Sequence, residues 1–207
     1  MLDNKKKYSG DYFVNLINSL SEEISNASDQ INHDRKIPNL LLKNMTESGL
    51  FRLLVPHKLG GHEIDFINYL EIINVASMVD ASVAWCLNQN NVLGTLAAFM
   101  PEKLALEIWR DPDTILSNGP SSDASVVISE KGYNLSGRWD FSSGFQHANW
   151  LVALAPVVYP NSSAAEREEM RNMFLQKQDI EIVDTWDVNG LSIYYLNWNL
   201  VYRCDFL

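Results

Sequence analysis

The sequence is short of the residues that most often announce chemistry. Its two cysteines, Cys86 and Cys204, lie far apart with no metal-ligand or disulfide spacing around them, a usage that suits a reducing compartment. A cytoplasmic protein is therefore expected. The four histidines, His33, His57, His62 and His147, are too dispersed for a metal site to be read from spacing, and none is expected. No apolar run approaches the ~20 residues a membrane span needs, and the lysines of "MLDNKKKYSGDYF" have no apolar stretch behind them. Neither a span nor a leader is expected. The dinucleotide-binding glycine fingerprint, the phosphate-loop lysine motif, the nucleophile elbow and the helical histidine pair are all missing, so no self-sufficient catalytic motif is present. Positive charge is scarce too: 16 Lys and Arg against 26 Asp and Glu leave a net charge of −10. Such a field repels phosphate backbones and anionic lipids, which argues against nucleic-acid and membrane partners.

What is present is the composition of a folded protein, with 46% hydrophobic and 20% charged residues in a chain of 207. From Tyr12 to Ile31 the apolar residues Tyr12, Phe13, Leu16, Ile17, Leu20, Ile24, Ala27 and Ile31 recur mostly at steps of three and four, which predicts an amphipathic helix. Pro38 opens a second helix carrying Leu41, Leu42 and Met45, with Gly49 where a C-terminal cap would end it. "LFRLLVPHKLGGHEID" reads as a loop. Phe66, Tyr69, Leu70, Ile73 and Ala76 give another helical stripe, and Asp80 is placed to cap a helix running through Trp85 towards Phe99. Pro101 opens a shorter helix that stops at Asp111-Pro112.

Beyond Pro112 the period changes. Tyr133, Leu135, Trp139 and Phe141 alternate with Asn134, Ser136, Arg138 and Asp140, the spacing of a strand. "ASVVIS" reads as its neighbour across Gly132, and "WLVALAPVV", "NMFLQK" and "DIEIV" are further strands, with "YPNSSAAEREEM" a loop among them. The expected class is α+β: a helical domain over 1–112, then a strand-rich domain over 113–207. Segregation of this kind argues against a Rossmann or barrel-type α/β enzyme.

Three stretches carry polar groups where chemistry could use them. "NQNN", Asn88 to Asn91, interrupts an otherwise apolar helix, so at least one amide faces inward, either to neighbouring backbone or to a polar ligand. "LSNGPSSDAS", Leu116 to Ser125, is a loop of small residues at the entry to the strand half. It reads either as a plain turn or as a lip whose backbone approaches a ligand closely. In "GRWDFSSGFQHANW", Gly137 to Trp150, a strand continuing past Phe141 puts Ser143 on the face of Trp139 and Phe141. A hydroxyl beside aromatic rings suits a planar, partly polar group; a packed core strand capped by serines is the alternative.

Several segments together resemble the acyl-CoA dehydrogenase superfamily, and most closely its flavin-dependent monooxygenase branch, which uses reduced flavin from a partner reductase. "SGLFRLLVPHKLGGHEIDFINYLEIINVASMVDASVAW" is similar to the helical N-terminal domain of that family, with its Pro-x-x-x-Gly-Gly loop and Ser-x-Ala-Trp segment. "LSNGPSSDA" lies where the dehydrogenases carry a Thr-Glu-Pro loop. "GYNLSGRWDFSSGFQHANW" resembles the branch's Gly-Arg-Trp-x-Phe-Ser-Ser-Gly signature, and "DTWDVNGL" its Asp-Thr-Trp-Asp-Val-x-Gly-Leu segment. The resemblance covers Ser21 to Leu191.

It implies an all-helical domain followed by a β-barrel domain, with a flavin, FMN or FAD, lying against the barrel. Carried over by position, Asn118 replaces the ring-contacting threonine of the dehydrogenase loop and Gly119 replaces its glutamate. Phe141 and Ser143 take the places of the tryptophan and threonine of a Trp-Ile-Thr segment near the ring; Ser142 and Trp139 are their neighbours. On the substrate side the resemblance points to Trp85 and to Asn91, which stands where some monooxygenases place a histidine. His147 is assigned a structural role.

Family members continue from Gly-Leu into Arg-Gly-Thr-Gly-Ser, complete the barrel after about residue 191 and add a C-terminal helical bundle. This chain reads "GLSIYYLNWNLVYRCDFL" instead, which is expected either from a shifted frame or truncated product, or from a short protein whose tail makes a final strand. No residue of the chain is a convincing dehydrogenase base, and the catalytic residues stay unassigned. The resemblance implies a flavin-dependent oxidoreductase, monooxygenase-type, using reduced flavin and oxygen on an aromatic or other small organic substrate, with a flavin reductase as partner and a homo-oligomeric family habit. Dehydrogenase-type CH–CH oxidation and a non-catalytic flavin-binding or interaction remnant are the alternatives.

Overall fold

The computed structural model describes residues 8–130, 132–159, 169–183 and 197–204. The chain divides into two compact units: residues 8–115, and residues 116–183 with 197–204. The first is helical and the second is a sheet.

The helical unit begins with α1, Gly10–Asp34, whose cap is the Ser9 hydroxyl accepting the Tyr12 N–H. Phe13, Ile17, Ile24 and Ile31 lie on its buried stripe, so the three-and-four periodicity is the packing face itself. α2, Asn39–Glu47, follows Pro38, and Gly49 turns the chain away in the left-handed region at φ 84°. α3, Phe66–Val79, and α4, Ala81–Gly94, are each started by an aspartate: Asp65 accepts from Asn68 N–H at 3.1 Å and Asp80 from Val83 N–H at 2.9 Å. α4 stops at Gly94, and a 3-10 turn over Thr95–Ala98 replaces the expected last turns. α5, Glu102–Trp109, opens after Pro101.

The segment read as a loop between α2 and α3 is a loop, but a buried one. Leu50, Phe51, Arg52, Leu53 and Val55 are all in the core, in and around a 3-10 turn. Irregular backbone in a core strands its polar groups unless something pairs them. The asparagines of α4 do that. Asn90 donates to Phe51 O at 2.6 Å; Asn91 donates to Leu50 O and Leu87 O at 2.8 and 2.9 Å and accepts from Leu53 N–H at 2.8 Å. Arg52 works from the other side, its guanidinium donating to the carbonyls of Leu59, Trp109 and Asp111. Replacing Asn91 with alanine is expected to cost about 2–3 kcal/mol of stability, because Leu53 N–H and Leu50 C=O are then buried without partners. A urea melt of the chain measures this.

Among its described residues the sheet unit has seven strands: β1 (Leu116–Asn118), β2 (Ser125–Ser129), β3 (Gly132–Trp139), β4 (Trp150–Val158), β5 (Met170–Gln176), β6 (Glu181–Val183) and β7 (Asn197–Cys204). The order is β1-β4-β2-β3-β7-β6, with β5 on the other side of β4. β4 is the spine: parallel to β1 at Leu116 opposite Trp150, parallel to β2 at Val126 opposite Val157, and antiparallel to β5. Among the described strands the sheet curls into half a barrel. β7 supplies a final strand from the tail, antiparallel to β3 from Tyr133 opposite Cys204 to Trp139 opposite Trp198. "DTWDVNGL" and most of "YPNSSAAEREEM" lie outside the described residues.

The core of this unit is Val126, Leu135, Trp139, Phe145, Leu151, Ala153, Ala155, Val157 and Leu175. Gly137 breaks the apolar alternation of β3 for a steric reason. A Cβ there would stand 2.6 Å from Ala124 Cα and 3.0 Å from the Trp139 ring, so its absence leaves room for the indole.

Candidate functional site

The sheet unit brings together two loops that the sequence separates by more than twenty positions. One is the end of β1, Ser117-Asn118-Gly119-Pro120; the other is the turn after β3, Asp140 to His147. Three contacts hold them. Asp140 N–H donates to Pro120 O at 2.8 Å, and the Ser117 hydroxyl donates to Ser143 O at 2.8 Å. Between these, Gly119 lies against Asp140 and Ser142 so closely that a Cβ would overlap the Asp140 carbonyl oxygen. A side chain at 119 is excluded by the backbone opposite, which is the close-approach use of glycine.

The turn is compact. Ser143 N–H donates to Phe141 O at 2.8 Å, Phe145 N–H to Ser142 O at 3.2 Å, and His147 N–H to Gly144 O at 3.0 Å. Lys177, just beyond β5, donates through Nζ to Phe145 O at 3.0 Å and Gln146 O at 2.8 Å. Burial lowers the pKa of this lysine from its ordinary value. On the rim, Asp123 accepts the Arg138 backbone N–H at 2.9 Å, the main reason its carboxyl is held below the usual range; the Arg138 guanidinium in turn lies 3.2 Å from Asp140.

Strand geometry does not extend through this segment, which corrects the shared face expected for Trp139, Phe141 and Ser143. β3 ends at Trp139, and Phe141 takes a positive φ of 53°, a conformation non-glycine residues adopt rarely. That break sends the three side chains to different places. Trp139 is in the core with no exposure, its indole N–H donating to Leu154 O at 3.2 Å. Phe141 turns outward and is 52% exposed, while Ser142 and Ser143 are buried. Asn118 is half-buried at the end of β1. The result is a wall with one projecting aromatic ring, two buried hydroxyls after it in the turn, and a half-buried amide on the β1 loop that packs on the turn through Gly119. A residue held in strained backbone at such a spot is a common mark of function.

The two residues expected on the substrate side, Trp85 and Asn91, both sit on α4 of the helical unit. Six positions separate them, which turns their side chains about 120° apart around the helix. Trp85 is half-buried; Asn91 has no exposure and commits both amide donors to backbone. Contact between Asn91 and a substrate requires those bonds to be given up. The histidines stay apart: His33 pairs with Asp34, His57 Nδ1 is 3.0 Å from Gly61 O, and His62 packs on Phe13 with ring centroids 4.8 Å apart. His147 lies in the turn of the sheet unit. Among the described residues no group of acidic, histidine or cysteine side chains is arranged to hold a metal.

Sequence reasoning misses Ser117 and Lys177. An isolated serine in a three-residue strand and a lysine at a strand end carry no periodic or motif signal, and only the fold brings them to the turn.

Residues 16–105 match the acyl-CoA dehydrogenase, N-terminal domain, and the chain is similar to flavin-dependent monooxygenases of that fold. Among curated proteins it is 27% identical over 176 residues to the oxygenase subunit HsaA of a flavin-dependent monooxygenase from Mycobacterium tuberculosis, covering 84% of this chain and 44% of that protein. It is 29% identical over 154 residues to indole-3-acetate monooxygenase from Acinetobacter baumannii, covering 73% and 38%. The crystal structure of the HsaA monooxygenase from M. tuberculosis superposes with a TM-score of 0.84 at 26% identity, over 94% of this chain and 52% of the other. The chain thus spans about half the length of the proteins it resembles.

Proposed function

We propose that this chain carries the flavin-facing wall of an oxygenase component: a flavin-dependent monooxygenase acting on a small aromatic or related organic substrate with reduced flavin delivered by a separate reductase. The reading rests on one observation above the others: the fold joins Asn118-Gly119 to Phe141-Ser142-Ser143 through Gly119, the residues that the family resemblance assigns to the ring. The residues present fit a flavin. A planar ring needs an apolar surface to lie on, which Phe141 offers, and edge donors or acceptors, which Asn118 and Ser143 offer. The cradle at Gly119 keeps bulk out of the approach. Relatives named as a flavin-dependent monooxygenase and as an indole-3-acetate monooxygenase support the reaction class.

When bound, reduced flavin supplies the electrons that activate oxygen, one atom entering substrate and the other leaving as water. The chain's own residues orient and shield. Phe141 sets the plane of the ring and excludes water from one face. Ser143 Oγ donates to Phe141 O at 3.5 Å, which ties the hydroxyl to the residue that carries the ring.

Titration of the purified chain with oxidised and reduced FMN and FAD tests the reading. Saturable binding is expected, with Phe141→Ala and Ser143→Ala each weakening it about 5- to 10-fold, the range of one stacking contact or one hydrogen bond. Absence of binding to either flavin in either redox state would remove the reading for this polypeptide. The preferred flavin is whichever binds more tightly.

A further inference from the structure

Lys177 is an odd residue to find half-buried. Taking an ammonium out of water is costly, and burial has already lowered its pKa. Its position explains the expense. The aliphatic stem follows β5, the backbone N–H is fixed to Asn149 O at 3.0 Å, and Nζ lies 4.8 Å from the centroid of the Phe145 ring. Its protons go to two successive carbonyls, Phe145 and Gln146. Those carbonyls lie near the end of the turn that starts at Phe141, so the cation holds it through two charge-assisted hydrogen bonds. On the opposite side of the same turn the Ser117 hydroxyl donates to Ser143 O and Asp140 N–H donates to Pro120 O.

We infer that Lys177 is a positioning residue for the flavin wall: its ammonium clamps the Phe141–His147 turn in the shape that projects the Phe141 ring and sets Ser142 and Ser143 behind it. It does not touch the ring itself. It acts through the turn, and its link to flavin rests on the proposed function above. A positive φ at Phe141 is a conformation the local chain does not favour, so something outside the turn must maintain it. Lys177 reaches that turn from beyond the end of β5, outside the turn's own stretch of chain.

The test uses the full chain in three forms: wild type, Lys177→Met and Lys177→Arg. Methionine keeps the stem over Phe145 and deletes the charge; arginine keeps the charge and two or more donors. Amide hydrogen exchange of Phe145, His147 and Ala148 is expected to speed up about tenfold or more in Lys177→Met, in line with the loss of a charged hydrogen bond. Arginine is expected to return it to within about threefold of wild type. FMN and FAD affinity is expected to fall about tenfold in Lys177→Met and to recover with arginine, while exchange in β4 and β5 away from the turn stays unchanged. Unchanged exchange in the turn overturns the inference, as does an arginine variant that behaves like methionine. A chain that binds no flavin in any form sinks the function proposed above, whereas the exchange rates still decide the role of Lys177.

Discussion

Gly119→Ala is expected to abolish useful flavin binding, lowering affinity about 100-fold, because displacing a positioned wall by about an ångström has effects of that size. The cause is visible in the packing. A methyl group at 119 overlaps the Asp140 carbonyl oxygen and stands 2.6 Å from Ser142 Oγ. The Asp140 oxygen is backbone and cannot swing aside as a side-chain end can. The Asp140–Ser143 backbone has to move, and Phe141 and Ser143 move with it. Overpacking of this kind is also expected to cost about 1–3 kcal/mol of stability. Asn118→Ala, one residue earlier on the same loop, removes an amide without a clash and is expected to weaken binding about fivefold, as for a single hydrogen bond. Fluorescence titration of both variants, with circular dichroism to establish folding, checks the contrast. Equal effects at 118 and 119 would show that close approach at Gly119 is not what shapes the wall.

The largest stability effect is expected at Trp139. Its side chain is fully buried among Val126, Leu135, Phe145, Leu151 and Leu175, and its N–H is paired with Leu154 O. Trp139→Ala empties a large volume that the surrounding strands cannot refill, at about 3–5 kcal/mol. It also removes the indole hydrogen bond to Leu154 O. Whole domains are stable by only about 5–15 kcal/mol, so the sheet unit of this variant is expected to melt well below the wild type. Trp139→Phe keeps most of the volume and is expected to cost less than half as much. Thermal melts of the two variants followed by near-ultraviolet circular dichroism measure the difference.

Much of the helical unit is legible in the sequence because its signals are local. Ser9, Asp65 and Asp80 cap where short polar residues precede apolar stripes, and Phe13, Ile17, Ile24 and Ile31 state their own burial by spacing. "NQNN" is legible only halfway. Periodicity says that an amide faces inward, but the buried loop that needs it lies about forty residues earlier in the chain, at Leu50 to Leu53. Local pattern has no access to such a partner.

The strand half shows the same division. β2, β3 and β4 follow from alternation and glycine placement, whereas the end of β3 does not. Trp139-Asp140-Phe141 continues the period of two through the point where the backbone breaks it. The reason is tertiary: Asp140 N–H is taken by Pro120 O instead of a strand partner, and Phe141 turns outward at positive φ. The candidate wall was therefore readable by family resemblance as a set of residues, and unreadable as a shape. Phe141 projects and Ser143 withdraws, and Lys177 joins from just beyond β5. None of these follows from spacing.

The central claim is that residues 118–120 and 141–147 form one flavin-facing wall. Amide hydrogen exchange of the full chain with and without saturating reduced FMN or FAD tests it most directly. The account predicts slower exchange confined to those two segments and their immediate neighbours. Tight flavin binding with protection elsewhere and none at 118–120 or 141–147 would contradict it.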